Sequence, residues 1–213
     1  MKRLAIAVAY PTGFIFVVMG RSELFTENTL RPVVPLLHRR DRDSLRTLLR
    51  VWGLLLIGNL IGAVIFAWVL AKTPAIDPVL RPALETVATE ATRGTFSENF
   101  YLAIFAGWLI ALLAWLIAST HNAIAQMALI WLTTACISAF GFRHSIAGAV
   151  EAWYRAFTGD ATWGAMTGEF ILPAVLGNTL GGVVLVALLN YAQVKGDKER
   201  ELRKIIASDH VEP

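Results

Sequence analysis

Three stretches of this chain contain no Asp, Glu, Lys or Arg: Val51 to Ala71, Asn99 to Phe142, and Phe170 to Val194. The hydrocarbon core of a bilayer is about 30 Å thick and takes about 20 helical residues to cross. The first and last stretches therefore predict one span each. The middle stretch, 44 residues from Asn99 to Phe142, would make a helix of about 66 Å at ~1.5 Å per residue. It must fold back, and Ser119-Thr120-His121-Asn122 is the polar break where it turns. Leu4 to Gly20 is also uncharged, but short and interrupted by Tyr10-Pro11-Thr12-Gly13. The expected fold is an all-α membrane bundle. A single transmembrane domain over 1–194 holds spans near 4–20, 51–71, 99–118, 123–141 and 170–194, and a tail follows over 195–213.

Composition removes the competing classes. Hydrophobic residues make up 56% of the 213 and charged residues 16%, against about 45–50% and about 25% in soluble domains. That surplus excludes disordered, collagenous and disulfide-rich classes. Cys136 stands alone, so neither an internal disulfide nor a cysteine metal cluster follows, and no cofactor is implied. The net charge of +3 comes from basic residues that flank apolar runs, which points to lipid rather than nucleic acid as the partner. Lys2-Arg3 before an apolar stretch imitates a signal peptide, but Pro11-Thr12-Gly13 interrupts it and no small-x-small cleavage site follows.

Lys and Arg set the orientation. Arg39, Arg40, Arg42, Arg46 and Arg50 precede the second span, and Lys195, Lys198, Arg200, Arg203 and Lys204 follow the last. The connections 72–98 and 143–169 are much poorer in Lys and Arg. The dense clusters, and with them the C-terminus, are therefore expected in the cytoplasm. This places Met1-Lys2-Arg3 outside, against the same rule.

The chain also repeats itself. Gly58-Asn59-Leu60-Ile61-Gly62-Ala63-Val64 matches Gly177-Asn178-Thr179-Leu180-Gly181-Gly182-Val183 as G-N-x-x-G-[AG]-V. An odd number of crossings separates the copies, so they run in opposite directions, the pattern of an inverted-topology repeat. Gly58 and Gly62, like Gly177 and Gly181, form small-residue faces suited to close helix packing. Asn59 and Asn178 are expected to bond across helices. Roughly 33–35 residues before each G-N lies a polar interruption, Ser22 to Thr29 and Gly141 to Ser145. Irregular backbone at membrane depth survives only where protein buries it or a watery cavity receives it, so the matched interruptions point to a transport site near the midplane. Within them His144 is ionisable near neutral pH, Thr26 offers it a hydroxyl, and Arg143 adds potential that draws anions.

In order and spacing, Leu24-Phe25-Thr26 within ELFTENT, Gly58-Asn59-Leu60-Ile61-Gly62, Gly141-Phe142-Arg143-His144-Ser145-Ile146-Ala147 and Gly177-Asn178-Thr179-Leu180-Gly181-Gly182 resemble the formate/nitrite transporter family. The Glu27-Asn28-Thr29, Arg50-Val51-Trp52-Gly53 and Tyr191-Ala192-Gln193-Val194 segments look most like a bacterial inner-membrane branch of it. The resemblance implies an aquaporin-like protomer of six helices, assembled as a homopentamer with one pore each. It implies conduction of small monovalent anions such as formate or nitrite, often coupled to protons. The family's second and fifth helices are broken by the loops that here hold Leu24-Phe25-Thr26 and Phe142-Arg143-His144. Its central pore histidine falls on His144 and its loop threonine on Thr26, with apolar constrictions near Tyr10, Phe14, Leu24, Phe25 and Ile137. Three features depart from the pattern. Arg143 stands where formate channels have Glu, and Ala111 where they have Asn. Leu4 to Gly20 matches the start of the second helix, leaving five of six spans. A further span encoded upstream of Met1 would return the N-terminus to the cytoplasm.

The expected mechanism is passive or proton-coupled anion permeation, in which the anion crosses apolar constrictions once protonated and His144 donates or shuttles the proton. A non-conducting scaffold with the same fold is the alternative. An intramembrane enzyme is disfavoured, because His144 and Ser145 are neighbours whose side chains diverge and no catalytic serine or metal motif is present.

Overall fold

The computed structural model describes residues 2–29 and 32–188, and every regular element within them is helical. The expected tail over 195–213 and the end of the last span lie outside the described residues. Helices α1 (Lys2–Ala9) and α2 (Pro11–Met19) follow one another through Tyr10, whose N–H still bonds the Ile6 carbonyl at 2.8 Å. Then come α3 (Val33–Arg39), α4 (Arg42–Lys72), α5 (Arg81–Thr92), α6 (Phe96–Ala118), α7 (Ala123–Phe140) and α8 (Ser145–Thr158). The last helix, α9 (Trp163–Val186), contains a π-helical segment at Met166–Ile171. By length and composition α4, α6, α7 and α9 can cross a membrane, and the stretch Arg3–Met19 is a shorter apolar helix.

Local chemistry explains the boundaries. Asp41 caps α4 by accepting the Ser44 N–H at 2.6 Å, which lets the helix start well before the uncharged stretch and carry its arginine-bearing turns toward the headgroups. Thr95 and Glu98 form a reciprocal capping box at the start of α6. Asn122 accepts from Ala125 N–H at 2.9 Å and starts α7 just after the polar break. Gly141 (φ 71°) and Gly159 (φ 86°) end α7 and α8 in the left-handed region that favours glycine. The segment 72–98, read from the sequence only as a connection, contains α5, which packs on α8. Its proline in the first turn starts the helix without losing a hydrogen bond.

The most extensive helix contact among the described residues is α6 with α9. It is possible only because of glycines. A Cβ added at Gly177 would strike the Phe100 carbonyl, one at Gly181 the Ile104 carbonyl, and one at Gly107 the Asn178 backbone. Small residues thus let the two backbones touch. The other copy of the repeat behaves differently. Gly58 and Gly62 are exposed on α4, and a Cβ at either meets nothing within 4 Å. The reason is topological. In the second half, α6 precedes the broken helix α7–α8 and packs on α9. In the first half, the broken helix begins with α1, and no described helix takes the place of α6 against α4.

Two expectations follow. Gly181→Ala and Gly107→Ala should each cost about 1–3 kcal/mol through overpacking, whereas Gly58→Ala should leave stability unchanged or raise it by up to ~1 kcal/mol through helix propensity; thermal unfolding in detergent orders the three. The Ser44 backbone N–H, and then its hydroxyl, hold the Asp41 carboxyl below the usual carboxylate range. A depressed carboxyl stabilises the fold above its unfolded value and loses that contribution as pH falls through its folded value. Asp41→Asn should accordingly flatten the acid limb of the unfolding profile.

Candidate pore site

Both polar interruptions are loops that join two helices end to end, and in each an asparagine from the matching G-N motif holds the backbone. Asn59 Oδ1 accepts the Phe25 N–H at 2.8 Å, and its amide donates to the Glu23 carbonyl at 3.1 Å. Asn178 Oδ1 accepts the Ser145 N–H at 2.8 Å, and its amide donates to the Arg143 carbonyl at 2.8 Å. Each asparagine therefore bridges a carbonyl and the N–H two residues later, around Leu24 in one loop and His144 in the other. Backbone groups that no helix satisfies are thereby satisfied in the protein interior. Asn178 adds a third bond, to the Ala103 carbonyl of α6 at 2.7 Å. Among the described residues Asn59 makes no third bond of this kind.

The first loop is braced further. Asn28 donates to the Leu24 carbonyl at 2.9 Å, and Thr29 Oγ1 to the Thr26 carbonyl at 2.8 Å. Trp52 Nε1 donates to the Asn28 carbonyl at 3.0 Å. These bonds present Thr26, itself fully buried, to the second loop. Thr26 Oγ1 lies 2.9 Å from His144 Nε2. His144 is also the N-cap of α8, its Nδ1 accepting the Ala147 N–H at 3.1 Å. A nitrogen that accepts carries no proton, so hydrogen-bond logic assigns the proton to Nε2, which donates to Thr26. A second proton on the ring would have to displace Ala147 from Nδ1.

Apolar groups close around this pair. Phe14 meets the imidazole edge-on at 5.0 Å between centroids, and Tyr10 lies 5.2 Å from Phe14. Phe14, Leu24, Phe25, Ile137 and Ile146 are all buried in one cluster that also takes in Ile110 and Leu113. Phe142, half-buried, packs against this cluster and stacks on Phe105 (5.2 Å) and Phe140 (5.7 Å). Ala111 is buried in a separate contact with Val33, Leu48 and Val186.

Two cavities meet at His144. The larger, about 950 Å³, opens beside α5 and the start of α6 and reaches Tyr10, Phe142, Arg143 and His144. Its wall carries Arg3, Arg93 and Arg143. Arg143 is 7% exposed, and its guanidinium donates to neutral acceptors: Asn99 Oδ1 (3.0 Å), the Arg93 carbonyl (2.8 Å) and the Glu90 carbonyl (3.5 Å). None of these neutral acceptors cancels the charge of Arg143 itself, while Glu90, Glu98 and Glu151 share the cavity wall with the three arginines. The smaller cavity, about 360 Å³, lies between α2, α4 and α8, against Asn59 and the open Gly62.

Two residues of this site escaped the sequence reading. Asn99, fully buried, positions Arg143 and donates to the Glu169 carbonyl at 2.8 Å; an amide at the edge of an uncharged span was its signal. Glu151 lines the large cavity, and its signal was a carboxyl two helical turns beyond His144. Among the described residues no group of three or more His, Cys, Asp or Glu side chains is placed to hold a metal.

Two broken helices meeting at a buried histidine, beside a vestibule lined by a buried arginine in a bundle of apolar helices, define a multi-pass membrane protein of the channel and transporter type. The chain belongs to the formate/nitrite transporter family, whose model matches residues 1–192. It is similar to the inner membrane protein YfdC of Escherichia coli (strain K12), 35% identical over 190 residues that cover 89% of this chain; it spans 61% of the length of that relative. It is also similar to the uncharacterized transporter YrhG of Bacillus subtilis (strain 168), at 31% identity over 94% of this chain and 76% of that one. A probable formate transporter of Methanothermobacter thermautotrophicus is 30% identical over 89% of this chain and 74% of its own. A pentameric formate channel with formate bound shares the fold, with a TM-score of 0.75 at 24% identity over 90% of this chain and 83% of that chain. Membership in a family of transporters sets the intramembrane-enzyme reading aside.

If the asparagine bridges hold the loops, Asn178→Ala should cost about 2–4 kcal/mol, because it strands buried backbone groups. Asn59→Ala, in a less buried position, should cost about 1 kcal/mol. Unfolding of the purified protein in detergent measures both.

Proposed function

We propose that this protein is a channel or transporter for small monovalent weak-acid anions, formate or nitrite among them. The observation that carries the reading is the position of the His144–Thr26 pair, with the vestibule that Arg143 lines on one side and the apolar collar of Phe14, Leu24, Phe25 and Ile146 on the other. An anion is drawn in by Arg143 and meets a collar that offers its charge no compensation, so the charged form is excluded. The neutral acid is smaller in its solvation demand and passes. His144 serves it as a neutral donor through Nε2–H and Thr26, a role that leaves the cap on Ala147 intact.

A homopentamer in the bacterial inner membrane with a cytoplasmic C-terminus completes the proposal. The pentameric neighbour, the inner membrane relative and the arginine cluster before α4 support these three points in turn. A second reading is a scaffold of the same fold that does not conduct; the feature that bears on it is the smaller cavity along Gly62 of α4.

Formate and nitrite uptake into liposomes decides between them. The parent chain should conduct both, and His144→Asn and Thr26→Val should each lower flux at least about tenfold, a loss of ~1.4 kcal/mol at the barrier. Equal flux in parent and both variants would remove the pair from the mechanism. No flux in the parent at any pH would favour the scaffold.

A further inference from the structure

The vestibule holds an acid that the permeation scheme leaves idle. Glu151 sits on α8 two turns beyond His144, with Gly148 between them on the same face, and all three line the large cavity. The ring of Phe170 packs over Gly148, where even a Cβ would collide with it. Glu151 is half-buried, and among the described residues its carboxyl makes no hydrogen bond or ion pair.

The other candidates for holding a proton there are committed. Glu90 pairs with Arg93 at 3.0 Å. Glu98 accepts the Thr95 N–H at 2.7 Å as part of the capping box. His144 has both ring nitrogens bonded, to Thr26 and Ala147. From α1 and the junction to α2 the cavity receives Arg3 and Tyr10, from α5 and its C-cap Glu90 and Arg93, from α6 Glu98 and Tyr101, and from the second loop Arg143. Helices α7 and α9 contribute no charged group to it. Glu151 is thus the uncommitted carboxyl in the cavity lining that Arg143 and His144 share.

We infer that Glu151 is the proton donor that neutralises a weak-acid anion in the vestibule before it reaches the apolar collar. The step balances within the site. The O–H bond of the Glu151 carboxyl breaks, an O–H bond forms on an oxygen of the anion, and a carboxylate remains within the field of Arg143. The neutral acid moves on past His144. Water on the vestibule side returns a proton to Glu151, so each cycle moves one anion and one proton. Arg143 has two tasks in this scheme: it concentrates the anion and stabilises the carboxylate left behind.

This inference rests on the anion-permeation reading, and the test separates the two. Formate uptake into liposomes carrying the full chain is measured across external pH. If the anion must find its proton in bulk water, flux falls tenfold for each pH unit above the acid's own titration. The parent should fall less steeply, because Glu151 supplies the proton. Glu151→Gln should adopt the tenfold slope, and Glu151→Asp should retain the parent's. Should Glu151→Gln fail to assemble, infrared difference spectra of the parent still decide: adding formate should deplete a protonated-carboxyl band whose frequency shifts in Glu151→Asp. Superimposable pH profiles for parent and Glu151→Gln, or no such band, would overturn the inference while leaving permeation standing. No formate flux in the parent at any pH would overturn permeation, and this inference with it.

Discussion

The whole architecture turns on keeping open backbone at membrane depth satisfied. A helix that stops inside a bilayer leaves carbonyls and amides with no partner, each costing several kcal/mol in hydrocarbon. Here Asn59 and Asn178 supply those partners, each spanning one loop residue with a carbonyl on one side and an N–H on the other. Once the loops are secured, Thr26 and His144 can be set 2.9 Å apart where the broken helices face each other. Without the asparagines there would be no fixed place for a polar pair in an apolar bundle.

His144 does two jobs at once. It caps α8 through Nδ1 and bonds Thr26 through Nε2. The capping bond fixes the tautomer and ties the ring's charge state to the integrity of the helix start. A histidine used in this way suits steady donation of a hydrogen bond better than repeated uptake of a proton. That division moves the acid chemistry outward, to the vestibule wall where Glu151 and Arg143 stand.

The two halves of the repeat are unequal, and the inequality has a single cause. Gly177 and Gly181 are buried against α6, which also gives Asn178 its third acceptor. Gly58 and Gly62 carry the same spacing but face open space, and Asn59 makes one bond fewer.

Much of this was legible in the chain itself. The uncharged stretches gave the spans, because a bilayer sets their length. The repeated G-N motifs and the matched interruptions pointed to an inverted repeat with broken helices, and they singled out Thr26 and His144 before any distance was known. Other features needed the tertiary structure, because they depend on contacts between residues far apart in the chain. These include the bonding of Asn59 and Asn178 to loop backbone, the assignment of the imidazole proton, the neutral partners of Arg143 and the stacking of Phe142 on Phe105 and Phe140. Asn99 and Glu151 belong with them: in the sequence one is an amide at the edge of a span and the other a charge in a short amphipathic segment. Local pattern determines which residues enter a membrane; only packing decides which polar groups meet there.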